Sequence, residues 1–125
     1  MFLEHVNLTV NDVDRSADFY SKVFGFHRRW EGAGGLGGRT VHVGTDTTYL
    51  ALWQPTRAPE GGFDFDRRGN GFNHIGIVVD DLDEVESRLH DLGVETFNHG
   101  DYEPGRRFYF EDPDEIEVEV VSYAS

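Results

Sequence analysis

Two histidines stand at the start of two alternating apolar stretches, His5 in "EHVNLTVND" and His74 in "NHIGIVVDD". An imidazole can bind a metal ion through a ring nitrogen or exchange a proton near neutral pH, so both are candidates for chemistry. A single histidine beside apolar residues is most often a satisfied structural residue. Two histidines in matching contexts indicate a common cause, which depends on the elements that follow them.

The segments that follow the two histidines align as a repeat. Asp12 falls on Asp81, and Gly25 falls on Gly93 after a slip of one residue. Each copy predicts a strand with alternating apolar residues, then an amphipathic helix that begins after an acidic residue and stops at a glycine. Three further strands complete each copy, so the order βαβββ is expected twice.

We therefore expect an α+β fold, in which two βαβββ modules form a curled mixed sheet around a cavity. Module one covers about residues 1–54 and module two about residues 72–125, with a linker rich in Pro, Gly and charge at about 55–71. Neither module alone buries both faces of its sheet, so the prediction is one domain. The later strands are expected at Arg28–Gly32, Arg39–Gly44, Thr47–Gln54, Val94–Asn98, Arg106–Glu111 and Glu115–Tyr123.

Alternation assigns the strand side chains to two faces, with the apolar residues facing the helices. The opposite face is rich in polar and aromatic residues, namely His5, His42, Tyr49, Trp53, His74, Arg107, Tyr109, Glu117 and Glu119. On the inside of a curled sheet such charges must be paired, protonated or bound to metal, because isolated buried charge is unfavourable. Two imidazoles and a carboxylate that converge from neighbouring strands predict a metal site.

Composition excludes several other classes of function. The formal charge of −13 argues against nucleic acid as a partner, and Lys22 is the only lysine. The absence of cysteine excludes disulfides and thiolate chemistry, and no apolar run is long enough to cross a bilayer. We expect a cytoplasmic protein with no membrane partner. Its acidic surface is suited to a salt-rich solution. The stretch "GAGGLGG" precedes a strand and not a helix, so we do not interpret it as a dinucleotide-binding loop.

The paired modules resemble the vicinal oxygen chelate superfamily, which includes glyoxalase I, fosfomycin-resistance transferases, bleomycin-resistance proteins and extradiol dioxygenases. The stretches that carry the resemblance are "EHVNLTV", "NHIGIVVDDLDE" and "GRRFYFEDPDEIEVEVV". The last is similar to the family's closing hairpin, with an Asp-Pro-Asp turn and a strand that bears a metal-binding glutamate.

The resemblance implies that His5, His74 and Glu119 bind one divalent metal ion, which would be Zn, Mn, Ni or Fe, with Glu119 also catalytic. It implies a homodimer, in which His5 can complete a partner's site. The family's fourth ligand position falls on Ala51, which cannot bind metal, while Gln54 should face the helices. This departure argues against a simple glyoxalase I activity.

The expected function is that of a metal-dependent lyase or transferase, acting on a small molecule chelated through adjacent oxygen atoms. The expected substrate-binding residues are Arg107, Tyr109, Tyr49, Trp53 and His42. For Arg107, an anion anchor and a salt bridge to Glu117 are equally open. The alternatives are a bleomycin-resistance-type protein that binds a small molecule without chemistry, and an Fe(II) dioxygenase.

Overall fold

The chain folds as two compact units of matching architecture, Met1–Gly61 and Gly62–Ser125. The computed structural model describes residues 1–34, 37–57, 72–102 and 104–123. The first unit contains β1 (His5–Thr9), α1 (Val13–Phe24), β2 (His27–Ala33), β3 (Arg39–Gly44) and β4 (Tyr49–Gln54). The second contains β5 (Ile75–Val78), α2 (Leu82–Asp91), β6 (Phe97–Tyr102), β7 (Gly105–Glu111) and β8 (Glu117–Ser122). The predicted α+β fold of two βαβββ modules is confirmed.

Each unit contains one mixed four-stranded sheet. The strand orders are β1-β4-β3-β2 and β5-β8-β7-β6. In both sheets the first strand pairs in parallel with the last, and the remaining pairs are antiparallel. Parallel neighbours need a crossover connection, and α1 and α2 lie on the crossovers that follow β1 and β5. The repeat seen in the sequence is therefore a repeat of topology.

The two helices begin and end as their sequences predict. The Asp12 side chain accepts a hydrogen bond from the Arg15 backbone N–H at 3.1 Å, and Asp81 accepts one from the Glu84 N–H at 3.0 Å. These caps satisfy donors that the first helical turn leaves without partners. At the other ends Gly25 (φ 72°) and Gly93 (φ 78°) adopt the left-handed conformation that glycine enters without a steric penalty.

The apolar faces of the strands and helices form the core of each unit. In the first unit α1 packs against β3 and β4, and in the second α2 contacts β8. The fully buried apolar side chains include Val10, Val13, Ala17, Tyr20, Val23, Val41, Val43, Leu52, Leu89, Phe108, Phe110, Val118 and Val120. This packing leaves the other face of each sheet for the polar and aromatic residues.

One strand differs from its predicted position. The apolar pattern predicts a strand at Val94–Asn98, whereas β6 spans Phe97–Tyr102. The Val94 N–H still bonds to the Leu89 carbonyl at the end of α2, so this residue belongs to the helix terminus. Asn98 has φ 53°, and the pairing with β7 shifts between Phe97 and Gly100, so the strand begins with an irregularity that alternation does not reveal.

Most of the predicted linker, residues 58–71, lies outside the described residues. Neither α1 nor α2, which are the helices of the described ranges, has the length and apolar character needed to cross a membrane.

Candidate functional site

In the second unit, three of the predicted site residues meet around the carboxylate of a fourth, Glu119. The pairing of β7 with β8 places Tyr109 opposite Glu119. The Tyr109 hydroxyl donates to Glu119 Oε1 at 2.9 Å, and His74 Nε2 lies 3.0 Å from the same oxygen. Arg107 Nη1 donates to Glu119 Oε2 at 3.0 Å. Both carboxylate oxygens are therefore engaged by residues of the polar face.

This cluster is shielded from solvent to different degrees. The side chains of Glu119 and Arg107 are each 13% exposed, while that of His74 is 32% exposed. A carboxylate and a guanidinium that are withdrawn from water together compensate each other's charge. The sequence left open a salt bridge from Arg107 to Glu117, but the ion pair found here is with Glu119.

The tautomer of His74 bears on what this site can bind. Its Nδ1 lies 2.6 Å from the Asn73 side-chain oxygen and, in the Nδ1–H tautomer, donates a hydrogen bond to it. In a neutral imidazole the other nitrogen, Nε2, then carries a lone pair. That lone pair faces a carboxylate oxygen, and two acceptors repel at this distance. In that tautomer a metal ion bound to both atoms would relieve the repulsion, whereas in the Nε2–H tautomer His74 donates a hydrogen bond to Glu119 directly.

The His74 and Glu119 donors fit a metal ion as a pair. Ligands bound about 2.1 Å from one ion lie roughly 3.0–3.4 Å from each other, which matches the 3.0 Å between His74 Nε2 and Glu119 Oε1. In residues 1–34, 37–57, 72–102 and 104–123, no three His, Asp or Glu side chains form a group that could hold an ion. The second unit thus supplies two donors of the predicted set, and His5 belongs to the first unit.

The first unit carries a row of aromatic rings on the corresponding face of its sheet. His5 stacks on Tyr49 with ring centroids 4.9 Å apart, and His42 stacks on Tyr49 at 4.5 Å. Trp30 lies next to His42 at 5.0 Å. The rings come from four neighbouring strands, because His5 pairs with Tyr49 across β1 and β4, and Trp30 with His42 across β2 and β3. A planar ligand could stack on such a surface.

Charged groups flank this row and set the protonation of its members. Glu4 accepts hydrogen bonds from His5 Nδ1 at 3.0 Å and from the Tyr49 hydroxyl at 3.1 Å, and these bonds lower the pKa of Glu4. The Arg29 guanidinium lies 4.4 Å from the centre of the Tyr49 ring. Burial, followed by the electrostatic influence of the neighbouring His5 and Arg29 side chains, lowers the pKa of His42. His42 is therefore disposed to be the neutral imidazole of this group.

Burial, followed by the hydrogen bond to Glu4, raises the pKa of Tyr49. Both influences favour the protonated phenol. Tyr49 thus keeps its proton at physiological pH, and its hydroxyl remains a hydrogen-bond donor.

The two sheets differ at one matched position. In the second unit Gly76 and Tyr109 flank Glu119 on the neighbouring strands, and in the first unit Ala51 holds the equivalent place. Ala51 is only 3% exposed, so a methyl group fills the place of a carboxylate.

The nearby amide does not substitute for the missing ligand. Gln54 Oε1 accepts a hydrogen bond from the Val13 backbone N–H at 2.9 Å. Its side chain therefore faces the start of α1, on the helix side of the sheet, as alternation predicts.

Trp53, also predicted to bind substrate, packs against the glycine-rich segment. A Cβ atom on Gly34 would lie 2.7 Å from Trp53 Cδ1, and one on Gly38 would lie 2.7 Å from Trp53 Nε1. Only residues without a side chain allow the indole this close to the backbone. The two glycines therefore form a surface on which Trp53 rests.

Sequence reasoning missed four residues of these clusters, namely Glu4, Arg29, Trp30 and Asn73. The signal for Arg29 and Trp30 is hidden because the pairing of β2 with β3 shifts between Arg28 and Trp30, which interrupts alternation. Glu4 and Asn73 each directly precede one of the two strand-leading histidines. Their position beside a candidate metal ligand is the signal that could have identified them, because a metal-binding imidazole usually forms a hydrogen bond to another group through its second nitrogen.

Comparison with known proteins identifies the class. The family model for the Glyoxalase/Bleomycin resistance protein/Dioxygenase superfamily matches residues 2–120. The chain therefore belongs to this superfamily, as its sequence resemblance predicts, and the match runs through both units.

Particular relatives share about a quarter of the sequence. The chain is 26% identical to a probable lactoylglutathione lyase of Synechocystis, over all of this chain and 98% of that one. It is 27% identical to the glutathione transferase FosA of Serratia marcescens, over 98% of this chain and 83% of that one. A glyoxalase/bleomycin resistance protein/dioxygenase domain from Frankia is 25% identical, with a TM-score of 0.85 over 98% of this chain and 91% of that one.

Proposed function

We propose that the chain is a divalent-metal-dependent enzyme of the lyase or transferase type, acting on a small molecule that it binds through adjacent oxygen atoms. The observation that carries the proposal is that His74 Nε2 lies 3.0 Å from Glu119 Oε1, the separation of two ligands on one ion. The named relatives, a probable lyase and a transferase, support these two reaction types.

In this proposal His5, His74 and Glu119 hold one ion, which would be Zn, Mn, Ni or Fe. His5 occupies in β1 the place that His74 occupies just before β5, which is why it is the proposed third ligand. The bound ion would act as a Lewis acid toward the substrate oxygens and stabilise the negative charge that develops on them. Glu119 would be the catalytic carboxylate as well as a ligand.

The proposed substrate-binding residues are Tyr109 and Arg107 from the second unit and Tyr49, Trp53 and His42 from the first. Tyr109 presents a phenol beside the carboxylate, and Tyr49 presents a protonated phenol within the row of rings. His42, as the neutral imidazole, can accept a proton from a bound substrate. The aromatic faces exclude water from one side of the ligand and orient it.

Metal content tests the proposal directly. The protein, incubated with each of the four metals and passed through a desalting column, should retain stoichiometric metal by elemental analysis. His74→Ala and Glu119→Gln should each lose most of it, because each removes one donor. His27→Ala is the matched control, since this imidazole is 55% exposed on β2 and belongs to neither cluster. A wild-type protein that retains no metal would contradict the proposal.

The competing function is metal-free binding of a small molecule, as in bleomycin-resistance proteins. The observation that favours it is that Glu119 already has three hydrogen-bonding partners, so it can be satisfied without an ion. Ligand binding that persists in the presence of a chelator would support this function. Iron retention together with oxygen consumption would select the dioxygenase alternative.

The remaining parts of the proposal concern organisation. We propose that the two modules fold as one domain, that the protein acts in the cytoplasm, and that it assembles as a homodimer. Light scattering of the eluting protein measures the assembly state, and a monomer at micromolar concentration would contradict the dimer.

A further inference from the structure

The two oxygens of Glu119 have different partners. Oε1 lies 3.0 Å from His74 Nε2 and accepts from the Tyr109 hydroxyl, whereas Oε2 accepts from Arg107 Nη1. The proposed metal site therefore lies on the Oε1 side, and the guanidinium lies on the Oε2 side. A carboxylate held in this way cannot turn freely about its terminal bond.

The contact between Arg107 and Glu119 is built by the sheet. Arg107 stands two residues before Tyr109 on β7, so the two side chains share one face. Tyr109 pairs with Glu119 and Arg107 with Val121 across the ladder, which places the guanidinium diagonally across from the carboxylate. Since both charged side chains are 13% exposed, their hydrogen bond is little weakened by water.

We infer that Arg107 is a positioning residue, and this inference rests on the proposed metal function. By occupying Glu119 Oε2, Arg107 would leave only Oε1 of the carboxylate to bind the ion. A carboxylate can bind a cation through one oxygen or through both, and the second mode uses an additional coordination position. An arginine on Oε2 keeps that position open.

This role is separate from the contact with substrate proposed for Arg107. The Arg107 side chain is 13% exposed, and its Nη1 is already bonded to Glu119. A positioning residue acts on the metal site even when no substrate is present. Its removal therefore has a spectroscopic consequence that the removal of a substrate anchor lacks.

The test uses Co²⁺ as the probe, because its visible absorption reports the number and arrangement of its ligands. Arg107→Met should bind Co²⁺ about 10- to 100-fold more weakly than the wild type, the usual effect of losing a group that orients a metal ligand. Its visible bands should also change, because Oε2 becomes available to the ion. Arg107→Lys, which keeps the charge, should recover part of the wild-type affinity and spectrum.

Arg106→Met is the matched control. Arg106 is the preceding residue of β7, and its side chain is 52% exposed and pairs with Asp83 at 3.3 Å. The substitution removes the same charge on the opposite face of the strand. Its affinity for Co²⁺ and its spectrum should equal those of the wild type.

Each outcome decides a separate question. If the wild type binds no Co²⁺, the proposed function fails and this inference falls with it. If the wild type binds and Arg107→Met keeps the wild-type spectrum, the inference alone is overturned, whatever its affinity. Should circular dichroism show that Arg107→Met is unfolded, Arg107→Gln replaces it, since glutamine keeps a donor but no charge, and the same two readouts apply.

Discussion

Among single residues, Glu119 and Ala51 show most clearly how the two units have diverged. They hold matched positions in two sheets of the same topology, and one brings a carboxylate where the other brings a methyl group. The polar partners have diverged with them, because Tyr109 lies across from Glu119 while His42 lies across from Ala51. A carboxylate needs donors around it, whereas a methyl group does not.

Restoring a carboxylate at the first position tests whether it abuts the metal site. We expect Ala51→Glu to tighten divalent metal binding by about tenfold, roughly 1.4 kcal/mol, because an additional charged donor joins the proposed ligand set. Isothermal titration with Mn²⁺ measures the change. Ala51→Gln is the control of similar size without charge, and it should bind metal no more tightly than the wild type.

An unchanged affinity in a folded Ala51→Glu protein would show that position 51 does not reach the metal. Because Ala51 is 3% exposed, the new carboxylate also loses hydration, and the variant should be less stable without metal than with it.

Among the secondary-structure elements, α2 and β6 are joined by polar contacts outside the proposed site. Glu86 of α2 accepts hydrogen bonds from the Thr96 hydroxyl and from His99 Nε2, and His90 Nε2 lies 3.9 Å from the same carboxylate oxygen. Burial acts to raise the pKa of Glu86, but the bonds from Thr96 and His99 and the nearby imidazoles together outweigh it, so the pKa is lowered.

The lowered pKa of Glu86 predicts how this connection depends on pH. A carboxyl group whose pKa is lower in the folded than in the unfolded state stabilises the fold above its unfolded pKa, near 4.5. That contribution disappears as the pH falls through the lower, folded-state pKa. We expect Glu86→Gln to be about 1 kcal/mol less stable than the wild type at pH 7, with a difference that shrinks toward zero in strong acid.

Urea unfolding at several pH values measures this difference. Glu95→Gln provides the control, since Glu95 is an exposed carboxylate next to Thr96, and its effect should be small at every pH. A Glu86→Gln difference that is constant with pH would contradict the proposed role of the ionised carboxylate.

For the molecule as a whole, charge is the dominant property. There are 24 acidic and 11 basic residues, which gives the formal charge of −13. The excess negative charges repel one another at low ionic strength. Salt screens this repulsion, with a screening length of about 10 Å at 0.1 M and about 3 Å at 1 M. Some ion pairs, such as that between Arg28 and Asp14, weaken in salt, but the unpaired negative excess is larger.

We therefore expect the midpoint of thermal unfolding to rise by several degrees between 0.1 M and 1 M KCl. Differential scanning calorimetry at pH 7 measures it. At pH 4 to 5, where carboxylates begin to protonate and the net charge falls, the rise should be smaller. A midpoint at pH 7 that stays constant or falls with salt would contradict the role of self-repulsion.

Much of the fold could be predicted because its signals are local. Alternation identified β1, β5 and β8 and the inward side of each, and capping residues such as Asp12 and Asp81 marked where the helices begin. The same rule predicted that Gln54 faces α1. It misplaced β6, where pairing shifts between Phe97 and Gly100, and it gave no signal for Arg29 and Trp30 in β2, where pairing shifts between Arg28 and Trp30.

The sequence by itself determined the βαβββ repeat, the family, and which residues share the polar face, because periodicity and motif spacing are properties of neighbouring residues. Only the tertiary structure decided which side chains on that face contact each other. Arg107 bonds to Glu119, and Arg29 lies over the ring of Tyr49. These choices depend on the register between strands that are distant in the chain, and on how long side chains divide the space above a sheet. The prediction of three metal ligands came from the sequence, while the direct approach of His74 to Glu119 came from the folded chain.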